Sequence, residues 1–205
     1  MKTVSLSRRL LLALALGASL CNLPATLAQD TSKTAGAPQV KFATNMGDFV
    51  VEVYPDKAPK TAENFLQYVR DKHYDGTIFH RVIASFMIQG GGYDARYIER
   101  PTRAPVMHEG LEALNKGCPR NTVGTIAMAR TNAPHSATAQ FFINVVDNGF
   151  LDPSPQQPGY TVFGKVVSGM DVVNRIRAIP TGFGGPFPTD VPKTQVVIKS
   201  ATVLP

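Results

Sequence analysis

Cysteine is nearly absent from this chain. Only Cys21 and Cys118 occur among 205 residues, and Cys21 falls in a leader that the sequence marks for removal. One remaining cysteine cannot close an internal disulfide, so the fold must rest on its apolar core. Cys118 sits in a Gly117-Cys118-Pro119 turn with no base beside it, which favours a passive thiol over a nucleophile. The motifs G-x-S-x-G, H-E-x-x-H and C-x-x-C are missing, as is a phosphate-binding P-loop. His73, His80, His108 and His135 lie in separate segments without metal-ligand spacing, so neither a metal nor a cofactor is expected. No run of five or six basic residues is present, and Lys2, Arg8 and Arg9 contribute three of the charges behind the formal +6. The weak remainder, spread over a domain, is no nucleic-acid footprint.

Long apolar runs are also missing. The stretch Leu10 to Leu20 is too short for an ordinary membrane span, so no integral membrane segment is expected. Preceded by three cations and followed by Thr26-Leu27-Ala28, it has the three regions of a secretory signal peptide. Residues 1–28 are read as that leader, with cleavage after Ala28; bulky Leu20 before Cys21 argues against lipid attachment. Residues 29–38 are small, polar and unpatterned, as in a flexible mature N-terminus, and residues 39–205 are expected to form one domain. Such a leader implies export, to the periplasm or beyond it to the extracellular space.

Strand signals begin at Gln39. Gln39 to Ala43 and Asp48 to Tyr54 flank a turn cluster and predict a hairpin. Pro59 suits the first turn of a helix whose apolar stripe is Ala62, Phe65, Leu66 and Val69, running to about Lys72. Ile78 to Ile83 and Phe86 to Gln89 return to strand character. Residues 90–122 read as a long surface excursion with little regular structure. Gly124 to Ala129, Gln140 to Val146, Val162 to Val167 and Gln195 to Val203 are further strands. A second helix carries Val172, Val173, Ile176 and Ile179, with Ser168 as its cap; Thr181 to Pro192 reads as a Gly/Pro-rich loop. About eight strands with two helices and no βαβ alternation predict a mostly antiparallel sheet, closed into a barrel without exposed edges.

The segment Phe79 to Gly92, FHRVIASFMIQGGG, places one permanent cation, Arg81, inside an apolar strand pattern. A guanidinium there must meet a partner or face a groove. Further on, the strand period of two puts Gln140, Phe142 and Asn144 on one face, and Met87 with Gln89 repeats the pairing of apolar residue and amide. Two such strands beside Arg81 would build a groove with an apolar pocket, amides for a peptide backbone and one fixed cation. No nucleophile or acid/base pair is needed for that arrangement.

FHRVIASFMIQGG, GTIAMAR, ATAQFFI and VFGKVVSG, in this order, resemble the cyclophilin-type peptidyl-prolyl cis/trans isomerases over about Val40 to Leu204. The MARTNAPHSATAQFF block and the leader most resemble the exported cyclophilins of Gram-negative bacteria. The resemblance implies an eight-stranded antiparallel β-barrel capped by two helices, and an enzyme that acts on proline-containing, unfolded or partly folded polypeptides. It implies that Arg81 is catalytic, that Phe86, Met87, Phe142 and Leu151 line a proline pocket, and that Gln89 and Gln140 hold substrate backbone. Ala129 and Arg130 would offer main-chain contacts, and His80 would position its neighbour, with Gln89 as one group able to hold the guanidinium. Many members have Trp and His at the pocket rim where this chain has Phe150 and Tyr160, so weak cyclosporin binding is expected. A monomer is expected. The alternatives are a non-catalytic proline-peptide binding module, or export chaperone, on the same scaffold, and a plain secreted barrel with Arg81 as surface charge.

Overall fold

The computed structural model describes residues 36–205; the leader, Cys21 and most of the polar N-terminus lie outside the described residues. Strands β1 (Gln39–Thr44) and β2 (Gly47–Val53) form the expected hairpin. Thr44 Oγ1 closes the turn, donating to the Gly47 carbonyl and accepting from the Met46 amide. Val40, Phe42, Phe49, Val51 and Val53 alternate inward, so one face of the hairpin is apolar up to Thr44 at its turn. Helix α1 (Pro59–Arg70) follows with proline in its first turn, where a missing N–H costs no hydrogen bond. The buried carboxylate of Glu109 accepts from the Thr61 amide at 2.7 Å and so satisfies one of the free donors of that turn.

The remaining strands are β3 (Thr77–Ile83), β4 (Met87–Asp94), β5 (Thr125–Met128), β6 (Phe141–Asn144) and β7 (Val162–Ser168), then β8 (Thr181–Gly184), β9 (Phe187–Pro192) and β10 (Ile198–Val203). Eight of them form one antiparallel sheet in the order β10-β1-β2-β7-β5-β6-β4-β3. Its two edges meet at an Ile78–Val197 bridge, where the Phe79 amide donates to the Val196 carbonyl at 3.0 Å. The sheet is thus nearly closed as a barrel, the architecture expected. Phe42, Phe49, Phe65, Tyr74, Phe79, Phe141 and Phe163 are fully buried and pack ring against ring, with Phe42 and Phe49 stacked at 4.9 Å. Phe65 is the contribution of α1, 4.9 Å from Phe163 and 6.1 Å from Phe141.

Four expectations need correction. Residues 90–122 are not one irregular excursion: β4 continues through the glycines to Asp94, and a helix, α2 (Gly110–Asn115), lies in the second half. Periodicity missed both because glycines carry no apolar signal and six residues give under two helical turns. Among the described residues there are accordingly three α-helices, the last being α3 (Met170–Arg177). Its N-cap is Gly169 at φ +82°, not Ser168, which ends β7; only a residue free to adopt that left-handed angle turns the chain directly from strand to helix. Finally, Thr181 to Pro192 is a two-stranded hairpin, β8–β9, rather than an open loop.

Candidate active site

The register of three neighbouring strands sets one row of side chains on a common face. Arg81 of β3 stands opposite Gln89 of β4, and Gln89 opposite Phe142 of β6. Two residues along, Ile83, Met87 and Asn144 form the next row. Strand alternation alone would send His80 and Arg81 to opposite faces. The ladder shifts between Phe79 and Arg81, and both residues line the same cavity, as a β-bulge allows.

That cavity, of about 460 Å³, is lined by Arg81, His80, Phe86, Met87, Gln89, Ala129, Arg130, Gln140, Phe142, Leu151 and Tyr160. The fold thus brings together strand and loop residues that lie far apart in the chain. Phe142 meets Tyr160 edge to face at 5.5 Å. Arg130 lies 4.6 Å from the centre of the Tyr160 ring, and its guanidinium donates to the Gly159 carbonyl, which occupies that side chain at the wall. Phe150 is the one expected site residue that does not line the cavity: 67% exposed, it stacks on Phe86 at 5.6 Å at the rim. Behind the wall, Asn148 donates to the Phe86 carbonyl and to Asn144, which in turn donates to Thr125 and Asn121. This buried amide network fixes the turn carrying Phe86 against β6, because each member would be costly to leave unpaired.

Gln89 does not hold Arg81. Its amide donates to Gln140 Oε1 at 3.0 Å, and the group standing by Arg81 is Asp190, whose Oδ2 is 3.6 Å from Arg81 Nε. The Gln89–Gln140 pair lies over Gly92, where an added Cβ would come within 2.6 Å of the Gln140 side chain. Gly91, at φ +85°, has the Tyr74 ring 2.8 Å from the same position. The glycine run therefore lets a core ring and a groove amide press against opposite sides of one strand.

His80 is buried between Tyr93 and Phe187, with ring centroids 4.8 and 5.3 Å away. Burial, and then the adjacent Arg81 cation, push its pKa down to about 4. The ring is neutral at physiological pH and holds no mobile proton there. The same shift predicts acid sensitivity. The unfolded ring takes up a proton near pH 6.5 and the native one only near 4, so its contribution is complete above about pH 6.5 and is lost as pH falls toward 4. Comparing wild type with His80→Phe by urea unfolding at pH 7 and pH 4 should show wild type losing roughly 2–3 kcal/mol more than the variant. Equal losses in the two proteins would remove His80 as a source of acid lability.

Tyr93, Phe187, Pro188, Thr189 and Asp190 also line the cavity and were not anticipated from sequence. The last four belong to the β8–β9 hairpin, whose Gly/Pro-rich composition hid it. Cys118 is buried with its thiol pushed up to about 12 by burial, and its Sγ lies 3.0 Å from the Val162 carbonyl, consistent with a passive role. Among the described residues no cluster of three or more His, Cys, Asp or Glu side chains is placed to hold a metal ion.

The model of the cyclophilin type peptidyl-prolyl cis-trans isomerase family matches residues 39–203. The chain belongs to that family. This cyclophilin is 53% identical over 167 residues to peptidyl-prolyl cis-trans isomerase B of Escherichia coli, covering 80% of this chain and 98% of that one. It is 42% identical over 199 residues to peptidyl-prolyl cis-trans isomerase A of Dickeya dadantii, covering 97% and 99%. A Cryptosporidium parvum cyclophilin, solved in the presence of the dipeptide Ala-Pro, shares the fold with a TM-score of 0.62 at 24% identity, covering 82% of this chain and 99% of that one. The enzyme is a cyclophilin-type peptidyl-prolyl cis-trans isomerase, the activity for which relatives 50–53% identical to it are named.

Proposed function

We propose that this cyclophilin acts on Xaa-Pro bonds of proteins folding after export, with Arg81 as its catalytic group and the cavity of Phe86, Met87, Phe142 and Leu151 as its proline pocket. The observation that carries the reading is the Arg81 guanidinium on the wall of a mixed cavity, in which Phe86, Met87, Phe142 and Leu151 supply the apolar part and the Gln89–Gln140 pair the amides, while the Arg130 guanidinium is taken up by the Gly159 carbonyl. Rotation about a peptide bond faces a barrier of roughly 18–20 kcal/mol because the nitrogen lone pair is delocalised into the carbonyl. In the twisted transition state the prolyl nitrogen regains that lone pair. A cation donating to it there stabilises the twisted form over the planar one, which is what accelerates exchange. The pocket holds the ring, Gln89, Gln140 and the Ala129–Arg130 backbone hold the flanking chain, and neutral His80 fixes the bulge from which Arg81 projects.

Export rests on the leader, and the periplasm is its proposed destination; unfolded or partly folded proline-containing chains are the proposed substrates, and a monomer the working form. The match to the Dickeya dadantii relative extends over most of the residues before Gln39. One experiment addresses these points together. The processed chain is recovered from an osmotic-shock fraction, sized, and assayed with a short Xaa-Pro peptide beside Arg81→Ala. Retention of the chain in the cytoplasm would remove the destination, and full turnover by the variant would remove the mechanism.

Weak cyclosporin binding belongs to the same proposal. Phe150 offers the inhibitor a ring on Phe86 but no indole N–H. Inhibition of peptide exchange should therefore require micromolar cyclosporin or more, roughly 1.4 kcal/mol being lost per tenfold of affinity; sub-micromolar inhibition would contradict it.

A further inference from the structure

Asp190 is the one carboxylate among the residues lining the cavity, and among the described residues it is the only carboxylate within ion-pair distance of Arg81. Its placement is built rather than incidental. The β8–β9 ladder pairs Gly182 with Val191 and then Gly184 with Phe187, so Pro188, Thr189 and Asp190 bulge out of it and line the cavity. Asp190 adopts φ +67°, a left-handed angle that aspartate tolerates better than most residues. The hairpin is pinned to the strands of the site by Phe187, packed against His80, the residue before Arg81, at 5.3 Å and against Tyr93 at 5.1 Å. The distance from Asp190 to Arg81 is thereby fixed by packing on both sides.

We propose that Asp190 is a positioning residue: its carboxylate engages the Nε edge of Arg81 and leaves the two terminal nitrogens directed at the prolyl nitrogen. A guanidinium presents donors along distinct edges of a rigid plane, so an anion on one edge orients the other. The Arg81 and Asp190 side chains are 43% and 33% exposed, so the pair adds little to stability. Its effect falls on the orientation of a group whose misplacement by an ångström lowers the rate steeply. This inference rests on Arg81 carrying the chemistry, and the hairpin that holds Asp190 thereby becomes part of the site.

The test compares wild type, Asp190→Asn and Arg81→Ala with an uncharged Xaa-Pro peptide, together with the Arg81 Nε–H signal by NMR. Asparagine keeps the size and the left-handed backbone and removes only the charge. Asp190→Asn should lower kcat about tenfold with KM within about twofold, broaden the Nε–H signal, and leave the melting temperature unchanged. Full kcat in Asp190→Asn beside an inactive Arg81→Ala would overturn the positioning role and leave Arg81 in place. Full turnover by Arg81→Ala would remove the underlying reading, and the inference with it. A loss in Asp190→Asn that merely follows a lowered melting temperature would also overturn it, since the carboxylate would then be structural.

Discussion

Arg81→Ala should fold as wild type does and lose about two to three orders of magnitude in kcat/KM for Xaa-Pro exchange. Removing one aimed donor from a developing charge typically costs about 10²–10³ in rate, or roughly 2.7–4 kcal/mol. Nothing comparable is lost from the fold. The side chain is 43% exposed, its ion pair with Asp190 spans 3.6 Å, and pairs of that kind contribute about 0–1 kcal/mol. Thermal melts of the two proteins should therefore superimpose within a few degrees while peptide exchange separates them. Arg81→Lys makes a sharper comparison, because it keeps the charge and loses the fork. If the geometry of the guanidinium matters, lysine should recover only a small part of the lost rate.

The parts of this molecule that were legible in the sequence share one physical property: they are periodic. The β1–β2 hairpin, α1 with its proline start, and β6 with its alternating faces each bury a stripe of apolar side chains. A stripe at period 2 or 3.6 survives projection onto a one-dimensional chain. The groove was legible through the same property, since Met87 with Gln89 and Gln140 with Phe142 declare a shared face by their spacing alone. The motif resemblance then supplied Leu151, at the end of a single 3-10 turn of helix (Gly149–Leu151), and Tyr160, in irregular chain before β7, which carry no period of their own.

What stayed hidden was aperiodic. Three glycines contribute nothing to an apolar pattern, so β4 seemed to stop at Gln89. In fact Gly91 and Gly92 are small because Tyr74 and Gln140 occupy the space a Cβ would need. The bulge at His80 is a register event between two strands and has no signature in either one. Asp190 is the clearest case: it lies 109 residues from Arg81, in a segment whose glycines and prolines suggest a loop. Its meaning depends on Phe187 docking against His80. Only the packing of two distant strands tells a site carboxylate from a surface one.

The adjacent pair Phe141 and Phe142 separates stability from activity within one strand. Phe141 is fully buried in the barrel, 5.4 Å from both Phe42 and Tyr74 and 6.0 Å from Phe79. No loop can collapse into the space it would vacate, because the surrounding rings are held by the closed sheet. Phe141→Ala should therefore cost about 3–5 kcal/mol. In a domain of this size that is a fall of roughly 6–20 °C in melting temperature. Phe142 points the other way, onto Tyr160 and the cavity. Water can enter the space left by Phe142→Ala from the open groove, so its thermal cost should be the smaller, while kcat/KM falls tenfold or more as the proline ring loses its wall. Melting curves and peptide exchange on both variants, below the lower melting temperature, should show Phe141→Ala unstable but near wild-type in rate per folded molecule, and Phe142→Ala the reverse. If both lose activity in proportion to stability, the two faces of β6 are not independent. The groove would then be an extension of the core rather than a surface laid upon it.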